Sequence, residues 1–365
     1  MAAEEAYRNL AAHLDRLPGG FPPSETGAEL RLLETLFTPE EADLATYLTL
    51  EAEEAPAIAQ RAGLPAAEAE QRLAEMARKG LIFSVVRDDG PARYRAAPWI
   101  VGIYEFQVNN LTPDLLRALG GYFGSVRPRP PAPAPPGMRT VQGRGQVRTI
   151  PIGKSVETRW DVLPYEQLHE LLTSRHRFAV APCICRRMAR LAGKGCDAPE
   201  ESCLSFDEMA DYCVRAGVSR YVDRDELMVI LARADEHNLV LQPSNSQEID
   251  FVCSCCGCCC GVLGDLKRYP KPAEVVISSF RARYAAEECN GCLACLDRCQ
   301  MEALTPDGDR VAFNADRCIG CGLCTTACPT GALKLERRPD ASQILVPVDM
   351  DATMRLLSQA QAEAG

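Results

Sequence analysis

Several things are missing from this 365-residue chain, and each absence removes a class of function. No apolar run approaches the roughly 18 residues of a membrane span. The opening Met-Ala-Ala-Glu-Glu-Ala lacks the basic start and apolar stretch of a signal peptide. There is no phosphate-binding P-loop and no dinucleotide glycine fingerprint, so nucleotide, flavin and nicotinamide chemistry are not indicated. The Cys-x3-Cys-x2-Cys spacing of radical chemistry is absent too. Histidine is scarce, at 4 residues, and His169, His176 and His237 show no metal-ligand spacing. Positive charge is in deficit, with 40 basic against 50 acidic side chains and a net charge of −10, which argues against general nucleic-acid binding. No cysteine occurs before Cys183.

After that point the chain is dominated by cysteine. Nineteen is an odd number and far above average. In a secreted chain it would suggest disulfides, but the spacing argues for metal in a reducing, cytoplasmic setting. Cysteines fall at Cys289, Cys292, Cys295 and Cys299, and again at Cys318, Cys321, Cys324 and Cys328. That is C-x2-C-x2-C-x3-C written twice. Three cysteines two residues apart wrap a tight loop around one cubane, while the fourth begins a helix that points the other way. Gly291, Gly320 and Gly322 suit loops whose amides approach sulfur closely.

Two such runs resemble the bacterial two-cluster ferredoxins. The resemblance implies two [4Fe-4S] clusters with crossed fourth ligands. Cluster one takes Cys289, Cys292, Cys295 and Cys328; cluster two takes Cys318, Cys321, Cys324 and Cys299. Pro329 follows the last cysteine as that pattern expects, whereas Gln300 replaces the equivalent proline in the first run. Paired zinc knuckles are the alternative. Residues 265–340 carry 11 basic and 11 acidic side chains before any metal is counted. Arg310, Arg317, Arg337 and Arg338 are placed to soften a cluster's negative field or to meet an acidic partner. Val311–Phe313 and Leu333–Leu335 are the expected flanking strands.

The middle segment holds the other eleven cysteines. Cys213 sits inside a helical pattern and reads as core. Cys183, Cys185, Cys196 and Cys203 form one group, and Cys253, Cys255, Cys256, Cys258, Cys259 and Cys260 crowd into eight positions. A packed core has no use for so many thiols; as ligands they imply a further metal centre. Adjacent side chains point apart, so the run cannot all grip one ion. A third iron-sulfur cluster is expected here, with zinc held by four thiolates as the alternative. Cys255-Cys256-Gly257 and Cys259-Cys260-Gly261 resemble the Cys-Cys-Gly element of heterodisulfide-reductase-like proteins. The downstream pair that family requires would be Cys292 and Cys295, which the ferredoxin pattern already claims. Arg186 and Arg187 are expected to offset the charge of a thiolate-bound cluster.

The front segment reads as helices followed by a hairpin. Thr38-Pro39-Glu40-Glu41 is a helix start, with Thr38 as N-cap and Glu41 at the third position. Ala55–Gly63 and Leu64–Gly80 are two helices, and Leu81–Val86 and Ala92–Ala96 are strands joined through Asp89-Gly90. The order resembles a winged helix-turn-helix domain, carried by Ile58–Gly63 and Glu68–Lys79. Residues 1–130 carry 13 basic and 19 acidic side chains. DNA binding needs phosphate neutralisation, so docking or dimerisation is the better expectation. Tyr94, Trp99, Tyr104 and Phe106 read as core packing.

The expected fold class is therefore α+β and multidomain. A winged-helix-like domain spans 1–124 and a proline-rich linker 125–137. A cysteine-rich α/β domain spans 138–262, a two-cluster ferredoxin domain 263–340 and a helical tail 341–365. The chain resembles multidomain dicluster ferredoxin-like proteins of anaerobic metabolism. That resemblance implies an electron carrier or oxidoreductase subunit serving a redox protein partner or a larger complex. The other readings are a redox-sensing winged-helix regulator and a reductase whose active centre is the middle-domain cluster.

Overall fold

Local signals decide the helices of the front segment. The computed structural model describes residues 2–86, 90–126, 145–152, 155, 166–339, 341, 344 and 346–364. Most of the expected proline-rich linker and the expected hairpin tip at 87–89 lie outside the described residues. The helices are α1 (Ala2–Arg16), α2 (Ala28–Leu36), α3 (Pro39–Ala45), α4 (Ala55–Ala62) and α5 (Ala66–Arg78). At the start of α3 the Glu41 N–H donates to Thr38 Oγ1 at 3.2 Å, and the Thr38 N–H donates to the Glu41 carboxylate at 3.0 Å. Both halves of the capping box are thus formed. Gly63 ends α4 in the left-handed region at φ 66°. A three-stranded antiparallel sheet follows, made of β1 (Glu53–Glu54), β2 (Ile82–Val85) and β3 (Arg93–Ala96) in the order β1-β3-β2. The segment closes with α6 (Tyr104–Phe106) and α7 (Pro113–Ser125), the latter capped by Thr112. Phe21, Trp99 and Tyr122 meet at ring-centroid distances of 4.7–5.8 Å in its core.

The middle segment forms one five-stranded sheet. Its strands are β4 (Phe178–Pro182), β5 (Glu201–Phe206), β6 (Arg220–Val222), β7 (Val240–Pro243) and β8 (Phe251–Cys255), in the order β6-β4-β5-β8-β7. Every pairing is antiparallel, which corrects the α/β reading of the strand–helix alternation. The reason lies between β4 and β5. The helix α9 (Ile184–Leu191) is only eight residues long, and the chain returns to the edge it left, with Glu201 opposite Pro182. The Cys183 N–H donates to Glu200 O at 2.8 Å, closing the excursion into an elaborated hairpin. Ser205 and Phe206 complete β5. Asp207, at φ 49°, turns the chain there into α10 (Asp207–Arg215). Val147 makes an isolated antiparallel bridge to Ser244. The remaining helices are α8 (Leu168–Thr173), α11 (Arg224–Glu236), α12 (Gly261–Arg268) and α13 (Pro272–Val275).

In the C-terminal segment, β9 (Phe280–Tyr284) pairs with β12 (Leu333–Arg337), and β10 (Leu304–Asp307) forms a hairpin with β11 (Arg310–Phe313). A short α14 (Leu323–Thr326) lies between them. The tail helix α15 (Met350–Ala364) packs back on the molecule, where the Thr353 hydroxyl donates to Asn245 O at 2.7 Å and Asp351 pairs with Arg95.

The front and middle segments share a core. Tyr212 of α10 donates to Ile82 O at 2.7 Å, and its ring meets Phe83 and Phe106 edge-on. Asn109 donates to Gly217 O at 2.8 Å. Among the described residues, no helix is long and apolar enough to cross a membrane.

Candidate metal centres

Strand geometry sorts the middle cysteines. Alternation places Cys253 and Cys255 on one face of β8. Cys203 of β5 lies directly opposite Cys253. Cys183 caps the N-terminus of α9, with Cys185 in its first turn, and Cys260 caps α12. These six thiols form a chain of neighbours. Cys183 adjoins Cys185, Cys185 adjoins Cys260, Cys260 adjoins Cys255, Cys255 adjoins Cys253, and Cys253 adjoins Cys203. Hydrogen bonds from Cys203 and Cys255 hold Cys253 well below the ordinary thiol range, and bonds from Cys185 and Cys255 do the same to Cys260. Cys203 and Cys255 are pushed up in turn, each by Cys253 first. A buried nest of this kind cannot ionise fully without a cation inside it.

Four of the other five middle cysteines gather separately. The sulfurs of Cys196, Cys256, Cys258 and Cys259 all lie within 4.8 Å of one another. Cys196 stands 3.8 Å from both Cys256 and Cys259, and Cys258 is 3.6 Å from Cys259. Among the described residues, no other group of three or more such ligand atoms comes this close. The strongest thiol neighbours of each set lie within that set.

One side chain joins the two. Arg186 is fully buried. It donates to Ser254 O at 3.0 Å, to the Ser202 hydroxyl, and to Cys256 Sγ at 3.9 Å. Among the described residues its Nε has no hydrogen-bond partner and no carboxylate pairs with it. Burial disfavours its charge, but the neighbouring sulfurs of Cys183, Cys256 and Cys255 favour it more, so the guanidinium stays cationic with its pKa raised. A buried cation needs a counter-charge, and thiolates on metal are the anions within reach. The donor set and this buried cation, which has no carboxylate partner among the described residues, fit thiolate-bound metal on both sides of Arg186. Arg187, expected to play the same part, does not. It pairs with Glu200 at 2.7 Å and donates to Val108 O and Asn109 of the front segment.

The front segment also reaches the six-thiol nest, through residues that the sequence reading assigned to the core or passed over. Tyr104 donates to Cys185 Sγ at 3.8 Å and Met188 Sδ at 3.3 Å. Burial pushes its hydroxyl well above the ordinary range, and Cys185 adds to that. Burial likewise pushes Glu105 up to about 8, helped by the charge of Cys253, although its carboxylate accepts the Gly102 N–H at 3.0 Å. The preceding loop carries Val101 at φ 57°, a strained conformation for a β-branched residue. Tyr94, Trp99 and Phe106 are core residues, as expected, and Cys213 is buried with its thiol raised by burial.

The eight C-terminal cysteines fall into two neighbourhoods. Cys328 is a charge neighbour of Cys289 and Cys295, and Cys299 of Cys318, Cys321 and Cys324. Backbone amides point at several of these sulfurs. Ala282 donates to Cys318 at 3.3 Å, Ala303 to Cys299 at 3.2 Å and Leu333 to Cys328 at 3.4 Å. Gly320, at φ 75°, leaves no room for a side chain, since a Cβ there would lie 2.1 Å from Phe280 O. Cys292 is exposed, whereas Cys299 and Cys321 pack against the same apolar core as Cys253, Cys256 and Cys260. Of the four arginines expected to soften the field or meet a partner, Arg310 favours the Cys289 thiolate and Arg338 that of Cys318, and each of the four bonds within its own chain. Arg338 donates to Cys318 O and Arg317 to Met301 O, Arg310 donates to Ala286 O, and Arg337 pairs with Glu166.

A family model matches residues 311–334, and its description is a 4Fe-4S binding domain, Fer4. The C-terminal segment binds iron-sulfur. The match contains Cys318, Cys321, Cys324 and Cys328, so at least one [4Fe-4S] cluster belongs to this 4Fe-4S segment. Beside it stands the cysteine cluster of the middle segment. No curated protein and no solved structure matches the chain.

Proposed function

We propose that this protein is an iron-sulfur electron carrier with a wire of three centres. Two [4Fe-4S] clusters sit in the C-terminal segment with crossed ligands, Cys289, Cys292, Cys295 and Cys328 for one and Cys318, Cys321, Cys324 and Cys299 for the other. The third iron-sulfur centre sits in the nest of Cys183, Cys185, Cys203, Cys253, Cys255 and Cys260. Single electrons enter or leave at the exposed Cys292 end and pass inward to the third centre. A redox protein, or a larger oxidoreductase complex, is the partner at that surface.

The observation that carries the reading is the packing of Cys299 and Cys321 against the core that holds Cys253, Cys256 and Cys260. That packing supports a continuous path from the 4Fe-4S segment into the middle thiols. The chemistry supplied by such clusters is one-electron transfer at potentials set by charge, burial and hydrogen bonds to sulfur. Within the chain, Ala282, Ala303 and Leu333 donate backbone amides to cysteine sulfur, Arg186 balances the inner charge, and Tyr104 donates to the inner nest.

The front segment, with its winged-helix-like order, serves in this reading as a docked wall of the third centre. Its α5 cations support that role over phosphate binding, because Arg72 pairs with Glu68, Arg78 with Glu75 and Lys79 with Glu41. The test is iron and acid-labile sulfide per chain on anaerobically purified protein, with EPR of the reduced form. About twelve of each and a third signal support three clusters; about eight of each removes the third centre.

A further inference from the structure

The middle thiols are not one pool. Four sulfurs placed ~2.3 Å from one zinc ion at tetrahedral corners stand ~3.8 Å apart. Cys196, Cys256, Cys258 and Cys259 stand at 3.6–3.8 Å in the pairs Cys196–Cys256, Cys196–Cys259 and Cys258–Cys259. A cubane carries an iron at each of four corners and spreads its thiolates much wider than a single ion does. The four-thiol group therefore suits one ion, and the six-thiol nest, which has no comparably tight group, suits a multi-iron centre.

The surroundings agree. The loop bearing Cys196 has Gly193 at φ 70° and Gly195 pressed against Arg190, with little apolar side chain to anchor it. It is held by Arg190, which donates to Cys196 O at 2.9 Å and Ala198 O at 2.6 Å. A metal bridging Cys196 to the Cys256–Cys259 turn would cross-link segments sixty residues apart. It would also brace both helix starts that carry nest thiols, Cys183 with Cys185 and Cys260. Four thiolates saturate a zinc ion and leave no open position, which is the pattern of a structural site. On binding, four thiols lose their protons and the complex carries a charge of −2. The Arg186 guanidinium lies 3.9 Å from Cys256 Sγ to meet it.

We infer that Cys196, Cys256, Cys258 and Cys259 hold a single structural zinc ion, separate from the iron-sulfur centre of the six-thiol nest. The zinc site stands on its own geometry; the assignment of iron to the nest rests on the function proposed above.

The experiment is elemental analysis of zinc, iron and acid-labile sulfide on the full chain, purified without oxygen, for the wild type, Cys258→Ser, Cys258→His and Cys255→Ser. The wild type should carry one zinc per chain. Cys258→Ser should lose it while keeping its C-terminal 4Fe-4S signals, and Cys258→His, which restores a ligand, should keep it. Cys255→Ser should keep the zinc and lose about four irons and four sulfides, with the C-terminal 4Fe-4S signals in place. Cobalt(II) exchanged into the zinc site should give the visible bands of a tetrahedral tetrathiolate, and these should vanish in Cys258→Ser. Absence of zinc from the wild type, or loss of iron and sulfide with zinc unchanged in Cys258→Ser, would overturn the inference. One zinc with only eight irons would uphold the zinc site and reject the third cluster, so the two failures are separable.

Discussion

The backbone N–H of Gly257 donates to the side-chain Oε1 of Gln300 at 2.6 Å. Gln300 follows Cys299, at the position where the second run has Pro329; Gly257 lies inside the thiol-dense turn, between Cys256 and Cys258. The approach is so close that a Cβ on residue 257 would lie 2.3 Å from Gln300 O. One hydrogen bond thus joins the 4Fe-4S segment to the middle thiols. Lys267 pairs with Glu302 at 2.9 Å beside it, and Arg298 reaches Asp235 from the same loop.

Gly257→Ala should force these two turns apart, because backbone cannot yield as a long side chain does. In the proposed wire, electron transfer from the C-terminal clusters to the third centre should slow. Gln300→Ala is milder. It orphans one amide, at a cost of about 1 kcal/mol. Rapid-mixing kinetics followed by freeze-quench EPR distinguish the two, and an unchanged rate in Gly257→Ala would break the proposed path.

Tyr104→Phe removes the hydroxyl that donates to Cys185 and Met188. A donor to a ligand sulfur stabilises the more negative, reduced cluster. Its loss should lower the third centre's potential by about 20–50 mV, on the scale of one hydrogen bond and a one-electron couple. Potentiometric titration followed by EPR should show that shift while the C-terminal signals stay in place.

Arg186→Met replaces the buried cation with an apolar side chain of similar length. The thiolate charge on both sides is then uncompensated. Iron should fall from about twelve to about eight per chain, with only the C-terminal clusters remaining. Full iron occupancy in this variant would show that Arg186 is not the counter-charge.

Cys328→Ser and Cys299→Ser test the crossed ligands. Cys328→Ser should perturb the cluster of Cys289, Cys292 and Cys295, and Cys299→Ser that of Cys318, Cys321 and Cys324. Combining each with Cys292→Ser separates the outcomes. Cys328→Ser added to Cys292→Ser should damage no further cluster, whereas Cys299→Ser added to it should damage both.

Burial pushes Asp250 up to about 6 from 3.8. Between those values the folded chain binds the proton and the unfolded chain does not. The neutral carboxyl therefore favours folding below about 3.8, and that contribution is lost as pH rises towards 6. Asp250→Asn should remove this loss and stabilise the protein at pH 7 by on the order of 2 kcal/mol, with little gain at pH 4. Melting temperatures at the two pH values check the sign.

Much of the local structure is legible in the sequence. Thr38 and Thr112 announce their helices because a hydroxyl satisfying a free amide is a contact within four residues. The Cys318–Cys328 run announces a 4Fe-4S segment because consecutive ligands wrap one cluster, which makes spacing itself the geometry. Where the next contact is far along the chain, that legibility ends. The strand–helix alternation of the middle segment does not say that the chain returns antiparallel beside Pro182, since this depends on Glu200 meeting Cys183 and Arg187. Neither Tyr104 nor Glu105 has a nearby sequence signal tying it to a cysteine eighty or more residues away.

The sequence by itself determined that this protein handles metal through thiols, and that its last third binds iron-sulfur. Only the tertiary structure decided which thiols stand together. Ten cysteines that spacing divides into a scattered four and a crowded six become instead a nest of six and a tight group of four, because β8 turns Cys253 and Cys255 toward Cys203 while the turn after it swings Cys256, Cys258 and Cys259 toward Cys196. Neighbouring side chains on a strand face opposite ways, and a sulfur finds its partners only when the sheet around it has formed.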